Sequence, residues 1–174
     1  MDVKIYTDIA CPFCYIGKKN FEKALAEYKI DATINMEYAS YELDNQAPKV
    51  PEKNMYEVLA EKHEKPLDEV KEMVNLIVEQ GKIAGIEFNM DKVIPANTRD
   101  AHRLLKLAYE FGLGEAVLES LHRAYFTEGK NVSDKDVLLE IAKTNGIPEV
   151  PALEVINDPS LFWKMLSATL IWRK

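Results

Sequence analysis

Cys11 and Cys14 stand three positions apart in the run Cys11-Pro12-Phe13-Cys14, and the chain has only these two cysteines. Two thiols at this spacing close a small disulfide ring and open it again by thiolate attack, through a mixed disulfide. Proline is favoured at the first position of a helix, where its missing N–H costs no hydrogen bond, so Pro12 predicts a helix opening at the motif. A sulfur at such a mouth meets unpaired N–H groups and the positive end of the helix dipole. That setting draws a thiol pKa from about 8.5 towards roughly 3.5–7.5. Cys11 is then the attacking thiolate, and Cys14, one turn inward, resolves the mixed disulfide. Pro12 and Phe13 between them tune the redox balance. Neither adds a positive charge, which predicts a weakly oxidising pair, and Phe13 offers an apolar surface for docking unfolded chains.

Other chemistry competes for the same pair. A zinc site needs two more ligands. No further cysteine exists, and His63, His102 and His122 are scattered along the chain, so no metal is expected. Iron–sulfur ligation usually takes four cysteines. A pair of inert buried thiols stays open as the bland reading. A structural disulfide over so short a step would hold nothing distant together.

The elements that must position the motif are legible in outline. Residues 3–7 alternate apolar with polar side chains and read as a strand. Ile16, Phe21, Ala24, Leu25 and Tyr28 recur at helical spacing, predicting a helix over 12–29. Residues 33–39 alternate again, and a strand–helix–strand unit joins parallel strands. The polar stretch 42–52, with Pro48 and Pro51, leads out of that unit. Helices follow over 52–64 and 66–80, the second stopped by Gly81. Residues 85–96 read as irregular, returning towards the sheet. Asn97 or Thr98 caps a helix bearing Ala101, Leu104, Leu105 and Ala108, ended by Gly112. A helix over 114–127 and one opened by a Ser133/Asp136 capping box, ended at Gly146, complete the block. Residues 147–159 hold three prolines and resist assignment, apart from a helical run at Ala152–Val155; 160–171 reads as helix. The expected organisation is a βαβ element over 1–45, a helical block over 46–146, and a C-terminal helical segment over 147–174.

Length and composition bound the function. A chain of 174 residues suits one domain with a sizeable insertion and needs no staples to fold. A net charge of -7 speaks against nucleic-acid binding, which rests on Lys and Arg meeting phosphates. No apolar run approaches the length of a membrane span. The first residues, Met1-Asp2-Val3-Lys4-Ile5, lack the basic and apolar regions of a secretory signal, and the expectation is a cytoplasmic protein.

Three stretches carry a family resemblance. Asp8-Ile9-Ala10-Cys11-Pro12-Phe13-Cys14-Tyr15-Ile16-Gly17-Lys18 resembles the active-site segment of DsbA-family oxidoreductases of the FrnE-like branch. Asn97-Thr98-Arg99-Asp100-Ala101-His102-Arg103-Leu104 and Ala124-Tyr125-Phe126-Thr127-Glu128-Gly129 resemble the same branch. The similarity runs to about residue 158. It implies an α/β fold, thioredoxin-like, interrupted by a large all-helical insertion. It also implies protein disulfide oxidoreductase activity, with Cys11 as nucleophile and Cys14 as resolving thiol. Members of that branch continue into a strand that starts after a cis-proline in a Val-Pro context, then another strand and a last helix. Here no apolar strand follows Val150-Pro151, and the sequence ends at Lys174, so the C-terminal strands are expected to be missing. A two-stranded sheet stands poorly alone, which predicts a second copy covering its edge as a homodimer.

The remaining candidates are weighed against simpler roles. Within the resemblance, Asn97, Thr98 and His102 are candidates for the substrate groove. His102 is also a candidate base near Cys11, or else a helix-surface or capping residue. His63 reads as solvated and His122 as structural. Tyr109, Phe111, Tyr125 and Phe126 read as core. Phe162, Trp163 and Trp172 suggest an interface. No bound cofactor is expected, because the cysteines are the redox centre; protein thiols and disulfides are the expected substrates, with glutathione or a protein thiol recycling the pair. Two alternatives stand beside this. One is a glutathione-dependent isomerase or transferase of kappa-like type, whose relatives usually carry serine where Cys11 stands. The other is a non-catalytic, redox-sensitive binding or chaperone protein.

Overall fold

A computed structural model of the chain describes residues 2–28, 34–158 and 160. Its elements in order are β1 (Asp2–Thr7), α1 (Pro12–Glu27), β2 (Asn35–Ser40), α2 (Met55–His63), α3 (Leu67–Ala84), a 3₁₀ turn (Met90–Lys92), α4 (Arg99–Glu110), α5 (Gly114–Phe126), α6 (Lys135–Thr144) and α7 (Glu149–Asn157). The two strands pair in parallel, from Asp2 opposite Asn35 to Thr7 opposite Ser40, as the crossover through α1 demands. The ladder continues one step further, where Tyr41 N–H donates to the Thr7 carbonyl at 2.9 Å. Among the described residues the sheet has these two strands only.

The helices build one apolar core. Ala101, Leu104, Leu105 and Ala108 of α4 are all fully buried, at the spacing the sequence shows. Burying each leucine contributes about 1.5–3 kcal/mol of transfer free energy, and α4 spends that face against α5 and α7. An aromatic cluster ties this block to the motif. Phe88 meets Phe126 edge-on at 5.0 Å and Tyr15 at 6.1 Å, and Tyr15 directly follows Cys14 in the chain.

Several local readings change. Gly81 does not stop α3: it lies inside the helix, buried against Phe88, and Gly85 at φ 86° terminates it in the left-handed region. The helix before Lys135 is capped by Asp134, whose side chain accepts the Asp136 N–H, rather than by Ser133. Ser133 instead donates its hydroxyl to the Asn97 carbonyl at 2.6 Å. Residues 149–157 form a helix, with Pro151 in its first turn, where a backbone N–H would have had no partner. No described peptide bond is cis, so Pro151 is not a loop proline facing the cysteines. Phe111 is 45% exposed just past the end of α4, outside the core. The segment over 85–96 docks on α5, through Asn89 N–H to the Phe126 carbonyl at 2.8 Å. The helix expected over 160–171, with Phe162, Trp163 and Trp172, lies outside the described residues beyond Ser160.

Candidate active site

The motif sits where the sequence places it. β1 ends at Thr7, a buried turn over Asp8 and Ile9 follows, and Cys11 is the N-cap of α1 with Pro12 as its first residue. Cys11 Sγ accepts the Cys14 N–H at 3.3 Å, satisfying one donor that the helix start leaves unpaired. Both cysteines are free and half-buried. Two donors at the end of β1, the Asp8 N–H and the Thr7 hydroxyl, also approach the Cys14 sulfur.

The two thiols titrate as a unit. With their shared proton on Cys11, its S–H donates to Cys14 and draws that thiol down to about 6. The same hydrogen bond, with burial behind it, pushes Cys11 above the ordinary thiol range, because two adjacent thiolates repel. The pair therefore carries one negative charge at neutral pH and resists a second, and its resting proton sits on Cys11, the reverse of what the helix mouth alone predicts; for Cys11 to attack, that proton must pass to Cys14.

The surroundings of the two cysteines differ. A cavity of about 660 Å³ opens beside the motif, lined by Cys11, Pro12 and Phe13 but not by Cys14. Its far wall is apolar: Met55, Val58 and Leu59 of α2 face Met73, Val74 and Ile77 of α3. Phe13 stands 62% exposed at the rim. A molecule in the cavity thus meets Cys11 beside the apolar walls.

The other candidates divide. Thr98 lines the cavity and hydrogen-bonds to Asp8. Asn97 lies behind the wall, its side-chain oxygen accepting the Arg99 N–H at 3.0 Å and its own N–H donating to the Pro48 carbonyl at 3.0 Å. His102 is neither in the groove nor on the helix surface. It is buried, with Nε2 at 3.1 Å from Asp8 Oδ1. His122 is wholly buried, stacked on Tyr15 at 4.6 Å, with Nε2 at 3.4 Å from the Asp8 carbonyl. His63 is exposed, at the cavity's edge.

Residue type alone did not reveal Asp8 or Glu119. Burial raises the Asp8 carboxyl, yet donors from His102, Leu43 and Thr98 outweigh it and hold the group below the usual range. Glu119 of α5 accepts from Tyr15 Oη at 2.8 Å, Lys18 at 2.9 Å and Lys19 at 2.6 Å, clamping α1 to α5 behind the motif. Burial pulls Glu119 up, but these three donors bring it down to about 2. Lys18, buried in that clamp, also holds Glu22. No group of metal-ligating side chains forms among the described residues.

A two-stranded thioredoxin-like unit with a cysteine pair at the mouth of its crossover helix, roofed by a helical block, defines a class. The family model for the DSBA-like thioredoxin domain matches residues 2–161, and the chain belongs to that family. The protein YwbO of Bacillus subtilis is 26% identical over 149 residues, which are 83% of this chain and 66% of that protein. The chain thus spans just under two thirds of the length of that curated relative. The crystal structure of a probable DsbA oxidoreductase, SCO1869 from Streptomyces coelicolor, superposes with a TM-score of 0.88 at 31% identity, over 97% of this chain and 72% of that one. The cytosolic disulfide reductase DsbM from Pseudomonas aeruginosa, solved with GSH, shares the fold at a TM-score of 0.63 and 17% identity, over 97% of this chain and 77% of that one.

Proposed function

We propose that this protein exchanges disulfides with protein substrates through Cys11 and Cys14, as a cytoplasmic member of the FrnE-like branch. The observation that carries the reading is one sulfur, Cys11 Sγ, capping α1 while lining the apolar cavity. In the reducing direction Cys11, freed of its proton by transfer to Cys14, attacks a substrate disulfide as the thiolate. A Cys11–substrate S–S bond forms, and the other substrate sulfur leaves as a thiolate that takes a proton from water. Cys14, deprotonated in turn, attacks Cys11 Sγ. The Cys11–Cys14 bond forms and the second substrate thiolate departs, so the substrate gains two electrons and the enzyme loses two. Glutathione or a protein dithiol returns those electrons; the oxidising direction runs the same steps backwards.

The cavity and Phe13 suit this substrate class, because apolar side chains flanking a disulfide in an unfolded chain find apolar walls beside the reacting sulfur. A second copy of the chain along the free edge of β1 completes the reading. No helix among the described residues is long and apolar enough to cross a membrane.

Insulin reduction with glutathione as electron source tests the proposal, alongside iodoacetamide alkylation at neutral pH. Wild type is expected to be active, and Cys11→Ser and Cys14→Ser inactive, with Cys11 alkylated faster than a free thiol. Activity surviving in Cys11→Ser, or ordinary alkylation kinetics at both cysteines, overturns it.

A further inference from the structure

The loop after β2 runs along the edge of the cavity and is pinned at both ends. At its start the Leu43 N–H donates to Asp8 Oδ2 at 2.7 Å, and Glu42 accepts from Nε and Nη2 of Arg99 at 3.0 and 2.9 Å. At its end the Pro48 carbonyl accepts the Asn97 N–H at 3.0 Å, the Lys49 carbonyl accepts the Asn131 side-chain amide at 3.0 Å, and the Lys49 ammonium meets Asp100. Residues 44–47, between these anchors, are held differently. Asp44 Oδ1 accepts the Gln46 N–H at 3.0 Å and keeps the turn in shape. Asp44 Oδ2 lies 4.0 Å from Lys62 Nζ, in the last turn of α2. Asp44 and Lys62 both line the cavity and are nearly half exposed, whereas Val70, Val74 and Tyr125 of the same lining are buried. The pair therefore stands on the rim, and the buried residues form the floor.

We infer that residues 44–47 are a strap with an ion-pair latch: Asp44 and Lys62 hold it across the rim, and the latch must part before a bulky apolar side chain reaches Cys11 through the cavity. The inference rests on the disulfide-exchange reading, in which Cys11 reacts from the cavity side. Hinges need only a few loop residues, and the anchors fix their place on either side of 44–47. Exposed segments with few contacts are the ones that open at least cost. The latch itself is weak, because both partners face water; an exposed pair shifts an equilibrium by about 1.5- to fivefold. That is enough to bias the strap closed, and little enough for a docking chain to open it. Phe13, Leu43 and Leu76, all exposed around the same cavity, give such a chain an apolar landing. A small reagent passes without moving the strap, so the device discriminates by bulk.

Two maleimides that share one reactive ring test it: N-methylmaleimide, which is small, and N-cyclohexylmaleimide, which is bulky and apolar. Labelling of Cys11 in the reduced full chain is followed by peptide mass mapping. Asp44→Asn removes one charge and keeps an oxygen for the Gln46 N–H; Lys62→Gln removes the other charge from a different element. Both side chains are exposed, so neither variant touches the core. Each is expected to raise N-cyclohexylmaleimide labelling about 1.5- to fivefold and to leave N-methylmaleimide labelling unchanged. The double variant should gain no more than either single one, since both remove the same contact. Salt at about 1 M should bring the wild type to the variants' rate, because exposed charges are then screened. Wild-type N-cyclohexylmaleimide rates in both variants, slower rates, or an equal gain with both reagents overturns the proposal; an equal gain reports a change in the thiol itself. If N-methylmaleimide labels wild-type Cys11 no faster than an ordinary free thiol, the disulfide-exchange reading fails instead, a result separate from the ratio between the two reagents.

Discussion

Replacing Gly81 by alanine sets two known effects against each other, and the structure decides between them. Alanine is favoured over glycine in a helix by up to about 1 kcal/mol, and Gly81 lies in the last turn of α3. From propensity alone the variant is stabilised. A Cβ at this position, however, lies 2.4 Å from Phe88 Cδ2 and 2.5 Å from Cε2. Carbon pairs prefer about 3.5–4.0 Å, so the ring must withdraw by roughly 1 Å. It has little room, being buried and packed edge-on against Phe126 at 5.0 Å and Tyr15 at 6.1 Å. Overpacking of this kind costs about 1–3 kcal/mol, and a ring caught between two others belongs at the upper end. The net expectation is a loss of about 1–2 kcal/mol, seen in urea as a lower midpoint with an unchanged slope. For a chain of this size that corresponds to a fall in Tm of several degrees, at about 2–4 °C per kcal/mol. Phe88→Leu in the same background should recover part of the loss, a coupling that a double-mutant cycle measures. Gly81→Ala at or above wild-type stability refutes the reasoning.

Two further outcomes follow from the titrating groups. Burial pushes His122 down to about 4 from its ordinary 6.5, so between those values the unfolded chain binds a proton that the folded one refuses. Stability therefore falls as pH drops from about 6.5 to 4, by about 3 kcal/mol in all from this group, and no further below that. Urea midpoints measured across this range should lose part of their slope in His122→Phe, and an unaltered slope contradicts the assignment. Glu119 stays ionised in the fold down to about 2, against 4.5 ordinarily, so its contribution is present above about 4.5 and is lost as pH falls towards 2. Glu119→Gln should cost about 1–3 kcal/mol at neutral pH, because Lys18 is buried and loses one of its two carboxylates. The gap from wild type should close on acidification; a constant gap at pH 7 and pH 2 would place the loss in packing.

The legible parts of this protein are those fixed by neighbours in sequence. Cys11, Pro12 and Cys14 lie within one turn, so the cap, the helix start and the sulfur spacing follow from local geometry. The parallel pairing of β1 and β2 follows from the crossover between them, and the buried face of α4 follows from its helical period. Gly81 shows where local rules mislead. A glycine after an apolar periodic run reads as a stop, but an aromatic ring seven residues later occupies the space beside its Cα and needs the Cβ to be missing. Ser133 misleads in the same way: its hydroxyl is taken by a carbonyl 36 residues away, and Asp134 caps instead.

The sequence alone therefore determined which sulfurs lie one helical turn apart, which end of which helix carries them, and the family that such a motif resembles. Tertiary structure decided everything that acts on those sulfurs from a distance. His102 is 94 residues from Asp8, His122 is 114, and Glu119 is 104 from Tyr15. No periodicity or spacing encodes contacts at such separations, because they arise only once the helices pack. Burial then multiplies their effect: a carboxylate or imidazole that would be bland in water becomes a fixed charge or a fixed neutral group when water is excluded around it.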